Sequence, residues 1–146
     1  TDMEIKDHTE ERDRMIIGVG TDILKMQRVR DTLNEENAPF LLKVFTEAER
    51  AEAKTRNKPD EYFATRFAGK EAVFKCFGEV PGEIRLNEIE ILCGPSGKPN
   101  VRLSGSCLEH ARFLGIEKIY LSLSYDGEYA VAFAVAEGAQ SNQEPS

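Results

Sequence analysis

Apolar and polar residues alternate most cleanly toward the end of this chain. Residues 118–125 and 128–136 change class at almost every step on either side of Asp126-Gly127, a dipeptide suited to a two-residue hairpin turn. In the second strand Tyr129, Val131, Phe133 and Val135 share one face, and Ala130, Ala132, Ala134 and Ala136 share the other. A face built only of alanine calls for close packing, against a helix or against another subunit. Residues 15–23 (MIIGVGTDI) form a further strand. There Ile17, Val19, Thr21 and Ile23 point one way, and Ile16, Gly18, Gly20 and Asp22 the other. The two glycines leave room for another backbone or a ligand. A short hairpin is predicted where residues 89–93 and 100–103 flank the turn GPSGKP.

Between the strands the period lengthens to that of a helix. Helices are expected over 25–33, over the short apolar segment 40–45, and after Thr46, whose partner Glu49 completes a capping box. Another runs from Ser104 or Ser106, as N-cap, to Gly115. The longest covers residues 60–78, DEYFATRFAGKEAVFKCFG, with Asp60 as N-cap and Gly78 as the stop. Its buried stripe would be Phe63, Phe67, Phe74 and Phe77. Beside that stripe Ala64, Ala68 and Ala72 lie with Glu71 and Lys75. Arg66 and Lys70 fall on the other flank, Lys70 snorkelling past the aromatic stripe. The pattern predicts one α+β domain over residues 15–137, a small antiparallel sheet packed with a long central helix. Residues 1–14 read as a flexible polar arm and 138–146 as a disordered tail.

Composition removes several classes of function. A net charge of −7 argues against non-specific nucleic-acid binding and against an anionic membrane surface. No apolar run reaches the roughly 20 residues of a membrane span, so neither nucleic acid nor membrane is an expected partner. Cys76, Cys93 and Cys107 are odd in number and widely spaced, which fits a reduced, cytoplasmic chain and not a zinc site. His8 and His110 are the only histidines, so histidine chemistry has little to draw on.

Two acids carry the candidate chemistry. Asp22 ends a buried strand on the face of Gly18 and Gly20, where a carboxylate is costly unless it is paired, hydrogen-bonded or bound to a cation. Capping the next helix is its other reading. Glu71 and Lys75, one turn apart, are by themselves an ordinary solvated helix pair. Taken together, Asp22 and Glu71 suit Mg²⁺, a hard cation held by one or two carboxylates with phosphate oxygens and waters. Arg66, Lys70 and Lys75 would then grip the phosphate charge. Gly18-Val19-Gly20 lacks the third glycine of a dinucleotide fingerprint.

The segments GVGTDILKMQRV (18–29), FTEAER (45–50), RFAGKEAVFKCFG (66–78), GKP (97–99) and YLSLSYDGEYAVAFAV (120–135) together resemble the holo-acyl-carrier-protein synthases. These are the small bacterial-type phosphopantetheinyl transferases, and the resemblance spans nearly all of residues 15–137. It implies the phosphopantetheinyl-transferase fold, assembled as a homotrimer with active sites between subunits. It implies a Mg²⁺-dependent reaction in which coenzyme A gives its phosphopantetheine arm to a serine of apo acyl carrier protein. Adenosine 3′,5′-bisphosphate leaves. By the same resemblance Asp22 and Glu71 match the magnesium ligands, and Lys75 and Arg66 match positions that contact coenzyme A phosphates. Glu71, directly or through a metal-held water, would help to take the serine proton, and Lys75 would stabilise the charge developing on the phosphoryl oxygens and the leaving group. Lys98, Pro99 and Ser124 match segments that reach coenzyme A from the neighbouring subunit, and Arg28 matches a residue that docks the carrier protein.

One position departs from the family pattern. Where S-x-S-H is usual, this chain has Ser122-Leu123-Ser124-Tyr125. The histidine's place by the coenzyme A phosphates falls to Tyr125, which can donate a hydrogen bond but carries no positive charge near neutral pH. This keeps a second reading open, a non-catalytic relative that binds coenzyme A or a carrier protein. A third needs no ligand, with Glu71–Lys75 a surface pair and Asp22 a helix cap. Gly69, where alanine is common, slightly weakens the helix.

Overall fold

The computed structural model describes residues 13–34, 39–80 and 82–139. In chain order these form β1 (Arg14–Lys25), α1 (Met26–Leu33), α2 (Pro39–Val44), α3 (Glu47–Ala53) and α4 (Pro59–Lys75). After a 3₁₀ turn at Leu86–Glu88 come β2 (Ile89–Cys93), β3 (Pro99–Leu103), α5 (Gly105–Leu114), β4 (Ile116–Tyr125) and β5 (Tyr129–Ala139). β1, β5 and β4 make an antiparallel sheet in that order, and among the described residues β2 pairs only with β3. The architecture is α+β, as the hydrophobic pattern implies.

The alanine face of β5 meets the chain's own helix. Ala130, Ala132, Ala134 and Ala136 are fully buried under α4, whose Ala64, Ala68 and Ala72 are equally buried. Subunit packing on the alanines is thereby excluded, and the opposite face is the open one. The room beside Gly18 and Gly20 is taken by backbone and not by a ligand. A Cβ on Gly20 would sit 1.9 Å from the Ala72 carbonyl oxygen, and one on Gly18 2.0 Å from that of Cys76. Helix and strand therefore touch main chain to main chain. Gly20→Ala is expected to cost about 1–3 kcal/mol, the usual range for overpacking, read as a lowered denaturant midpoint with an unchanged slope.

Helix α4 is enclosed on nearly all sides, with Tyr62, Phe63, Thr65, Gly69 and Val73 buried besides its alanines. Phe67 and Phe74 of the expected aromatic stripe are only partly buried. Gly69 has a packing role as well as a propensity cost, since a Cβ there would lie 2.9 Å from Ile91 Cδ1 and 3.0 Å from Leu123 Cδ2.

Lys70 requires a correction. It does not snorkel and does not reach a ligand, because its side chain is 0% exposed and its Nζ lies 2.8 Å from Glu49 Oε1, itself 0% exposed. The ammonium also donates to the carbonyls of Leu86 and Ile89. Glu49 completes the Thr46 capping box and accepts the Ile91 amide at 2.6 Å. One buried ion pair thus joins α3, α4, the 3₁₀ turn and β2.

Smaller differences have local causes. Pro59 takes the first position of α4, which makes Lys58 the N-cap and frees Asp60 to pair with Arg30 at 2.9 Å. Neither Ser104 nor Ser106 caps α5 with its side chain. Ser104 is the N-cap by position, but the carboxylate that accepts the Cys107 amide is Glu88, at 3.0 Å. The last hairpin turns at Gly127-Glu128, one residue later than expected. Asp126 closes the turn by a backbone bond to Tyr129, and its carboxylate accepts the amides of Glu128 and Tyr129. β5 continues through Gly138 to Ala139, so the first two residues of the predicted tail are strand. Arg14, placed in the arm, opens β1. The rest of the arm, with His8, and residues 140–146 lie outside the described residues.

Candidate active site

Asp22 lies near the end of β1, opposite Ala132 of β5, with its side chain 17% exposed. It caps nothing, because α1 starts only after Lys25. Lys75, in the last turn of α4, donates to the Thr21 carbonyl at 2.9 Å and sits 3.3 Å from Asp22 Oδ1. The Glu71–Lys75 surface pair of the ligand-free alternative is therefore replaced by a bridge from helix to strand. Glu71 is half-buried one turn earlier. Burial holds its carboxyl above the usual range, and the nearby Asp22 charge adds to this while Lys75 opposes it. Two carboxylates and one ammonium thus gather from a strand and a helix, with Asp22 and Lys75 53 residues apart in sequence.

That donor set fits magnesium. Among the described residues no third acid, histidine or cysteine joins Asp22 and Glu71. An incomplete oxygen set suits an ion that keeps waters and takes the rest of its shell from substrate phosphate. The mutual repulsion of the two carboxylates is a deficit that a cation would fill.

A cleft of about 360 Å³ opens at the other end of α4, with Arg56, Lys58, Glu61, Arg66 and Tyr125 on its walls. The Arg66 guanidinium lies 4.2 Å from the Tyr62 ring centroid and donates to Thr65 Oγ1 at 3.3 Å. Its buried Nε has no hydrogen-bond partner among the described residues. As a wall of the cleft, the Arg66 guanidinium can offer its other donors to an anionic group there. Glu61 beside Tyr125 raises its phenol above the ordinary tyrosine value, so Tyr125 enters neutral pH as a hydrogen-bond donor. Sequence reasoning missed Arg56 and Lys58. The cationic segment KTRNK (54–58) just before Pro59 was the available signal.

The remaining candidates are dispersed. Arg28 is exposed on α1, and Lys98 is exposed at the tip of the β2–β3 hairpin, next to Pro99 at the start of β3. Ser124 is exposed on the outer face of β4, away from α4. Among the described residues none of them bonds to Asp22, Glu71 or Arg66.

Comparison with known proteins fits this geometry. A family model described as the 4′-phosphopantetheinyl transferase superfamily matches residues 18–134. A holo-[acyl-carrier-protein] synthase of Natranaerobius thermophilus is 42% identical over 121 residues, covering 83% of this chain and 97% of that protein. The crystal structure of a holo-ACP-synthase from Plasmodium yoelii superposes with a TM-score of 0.76 at 37% identity, over 88% of this chain and 100% of the other. An ACPS–CoA complex from Chronobacterium ammoniagenes gives 0.74 at 27% identity, again over 88% and 100%. A matching family model over most of the chain, a matching fold and near-complete coverage lead to one assignment: the chain belongs to the 4′-phosphopantetheinyl transferase superfamily.

Proposed function

We propose that this protein is a holo-[acyl-carrier-protein] synthase, which transfers the phosphopantetheine arm of coenzyme A to a serine of apo acyl carrier protein. The observation that carries this reading is the Asp22–Glu71–Lys75 cluster, found in a chain 42% identical to a named synthase over most of its length. Asp22 and Glu71 would hold magnesium, which when bound offsets charge on the pyrophosphate. Glu71 accepts the proton of the serine hydroxyl, aided by a basicity that burial has raised. The serine oxygen then forms its bond to the phosphopantetheine phosphorus as the bond to the departing adenosine 3′,5′-bisphosphate breaks. Lys75 releases Asp22 and turns to the phosphoryl oxygens, for which its half-exposed side chain leaves freedom. Arg66, with Tyr125 and Lys58 beside it, receives the anionic groups of the donor.

Intact-mass measurement of apo carrier protein with this protein, coenzyme A and Mg²⁺ tests the reading. The expected result is the gain of one phosphopantetheine, abolished by EDTA. Coenzyme A binding without any gain would favour the non-catalytic alternative that Tyr125 raises.

The reading includes a homotrimer with sites between subunits. Its support is the outer face of the sheet, where Val19, Ile23, Tyr120, Val131 and Phe133 are all exposed. They lie on adjacent strands, with Ile23 opposite Val131 and the row of Val135 running from Val19 to Tyr120. An apolar face of this kind marks a protein contact. Lys98, Pro99 and Ser124 would then approach coenzyme A from a neighbouring copy, and Arg28 would dock the acidic carrier. Phe133→Glu is expected to give a monomer by light scattering and to lower transfer at least about tenfold. A variant that stays trimeric would remove this face from the interface. No helix among the described residues is long and apolar enough to cross a membrane. A cytoplasmic setting, alongside fatty acid synthesis, completes the proposal.

A further inference from the structure

Arg30 bonds to the first turn of α4, the end opposite Lys75, and ties together three elements that frame the substrate sites. Its Nε lies 2.9 Å from Asp60 Oδ2 in the first turn of α4, and its Nη2 donates to the Gly127 carbonyl at 3.3 Å in the β4–β5 turn. Arg30 itself stands on α1, two residues after Arg28. A second link joins two of these elements, α1 and the turn, from the Met26 amide to the Glu128 carbonyl at 2.8 Å. The turn is stiff within itself, because Asp126 holds the amides of Glu128 and Tyr129. A stiff turn moves as a unit, so whatever fixes Gly127 also fixes Tyr125. Tyr125 and Lys58, on either side of this junction, both wall the cleft that contains Arg66.

We propose that Arg30 is a positioning residue, a clamp that holds the β4–β5 turn against the start of α4 and so keeps Tyr125 and Lys58 in place to receive the donor. The inference rests on the reading that this cleft takes coenzyme A. The planar guanidinium suits the task, since its fork meets the carboxylate and the carbonyl at once, which a single ammonium cannot do. Arg30 also cancels the Asp60 charge, which would otherwise stand beside Glu61 at the rim of an anion-binding cleft. The bond to Arg30 is the main reason the Asp60 carboxyl lies below the usual range. Because the clamp starts from α1, it also joins the helix that carries Arg28 to the walls of the donor cleft.

The test compares wild type, Arg30→Met and Arg30→Lys in two measurements. The first is hydrogen exchange of the segment 121–131 in the ligand-free protein, and the second is steady-state transfer with coenzyme A varied. Arg30→Met is expected to speed exchange at the turn, to raise KM for coenzyme A about tenfold and to leave kcat within about twofold. Arg30→Lys, keeping the Asp60 pair but losing Gly127, should fall between. Unchanged exchange would overturn the clamp. Faster exchange with an unchanged KM, or a fall in melting temperature alone, would make Arg30 merely structural and overturn the proposal. A wild-type protein that neither binds nor uses coenzyme A would overturn the functional reading instead, and with it the clamp's link to the donor.

Discussion

Glu71→Gln is expected to slow transfer by roughly 10²–10⁴-fold, the range for loss of a positioned base, and at the same time to make the ligand-free protein more stable at pH 7. The second half follows from the raised carboxyl. Between the ordinary value of 4.5 and its higher folded value, Glu71 binds more protons folded than unfolded, so stability falls as pH rises through that window. At pH 7 the full penalty is present, and the neutral amide removes it. A higher melting temperature for the variant without Mg²⁺, which Mg²⁺ no longer raises further, is the expected pair of observations. A variant that is inactive but less stable would indicate that Glu71 serves packing.

Lys70→Met is expected to destabilise the fold by about 3–5 kcal/mol, because it leaves the Glu49 carboxylate charged, buried and without its cation. For a domain of this size that is a drop in melting temperature of roughly 10–20 °C. The pair Glu49→Leu with Lys70→Met should recover much of the loss, since both charges then go together. Recovery stays incomplete, because the Thr46 and Ile91 amides lose the acceptor that Glu49 provides. A double-mutant cycle measures the coupling, and a value near zero would mean that the two residues act independently. Transfer by the doubly substituted protein, where it remains folded, separates this role from phosphate binding.

What could be read from the sequence depended on how far apart the cooperating residues lie. Thr46 and Glu49 are three residues apart, and their capping box formed as expected. The Asp22–Glu71 pairing was legible only because each acid sat beside small residues, a sign of close approach, and because the family resemblance joined them. Lys70 was misread because its partner Glu49 lies 21 residues earlier and nothing local marks it as buried. The alanines of β5 announced close contact without naming the contacting element. The last hairpin was predicted, but its turn slipped by one residue because Asp126 used its side chain on the backbone. Arg56, Lys58 and Arg30 went unnoticed as site residues, since a basic residue on a polar surface looks the same whether or not it frames a cleft.

The contact of β1 with α4 at Gly18 and Gly20 has a mechanical meaning. Most helix–sheet interfaces are separated by a layer of side chains that can change rotamer, swell with temperature or adapt to substitution. Here that cushion is missing, and a carbonyl rests against a Cα. Asp22 follows Gly20 by two residues on the strand, and Glu71 directly precedes Ala72, whose carbonyl makes the contact. The two carboxylates are therefore mounted on parts of a single stiff body, and the gap between them is set by hard-sphere contact and not by how the core happens to be filled.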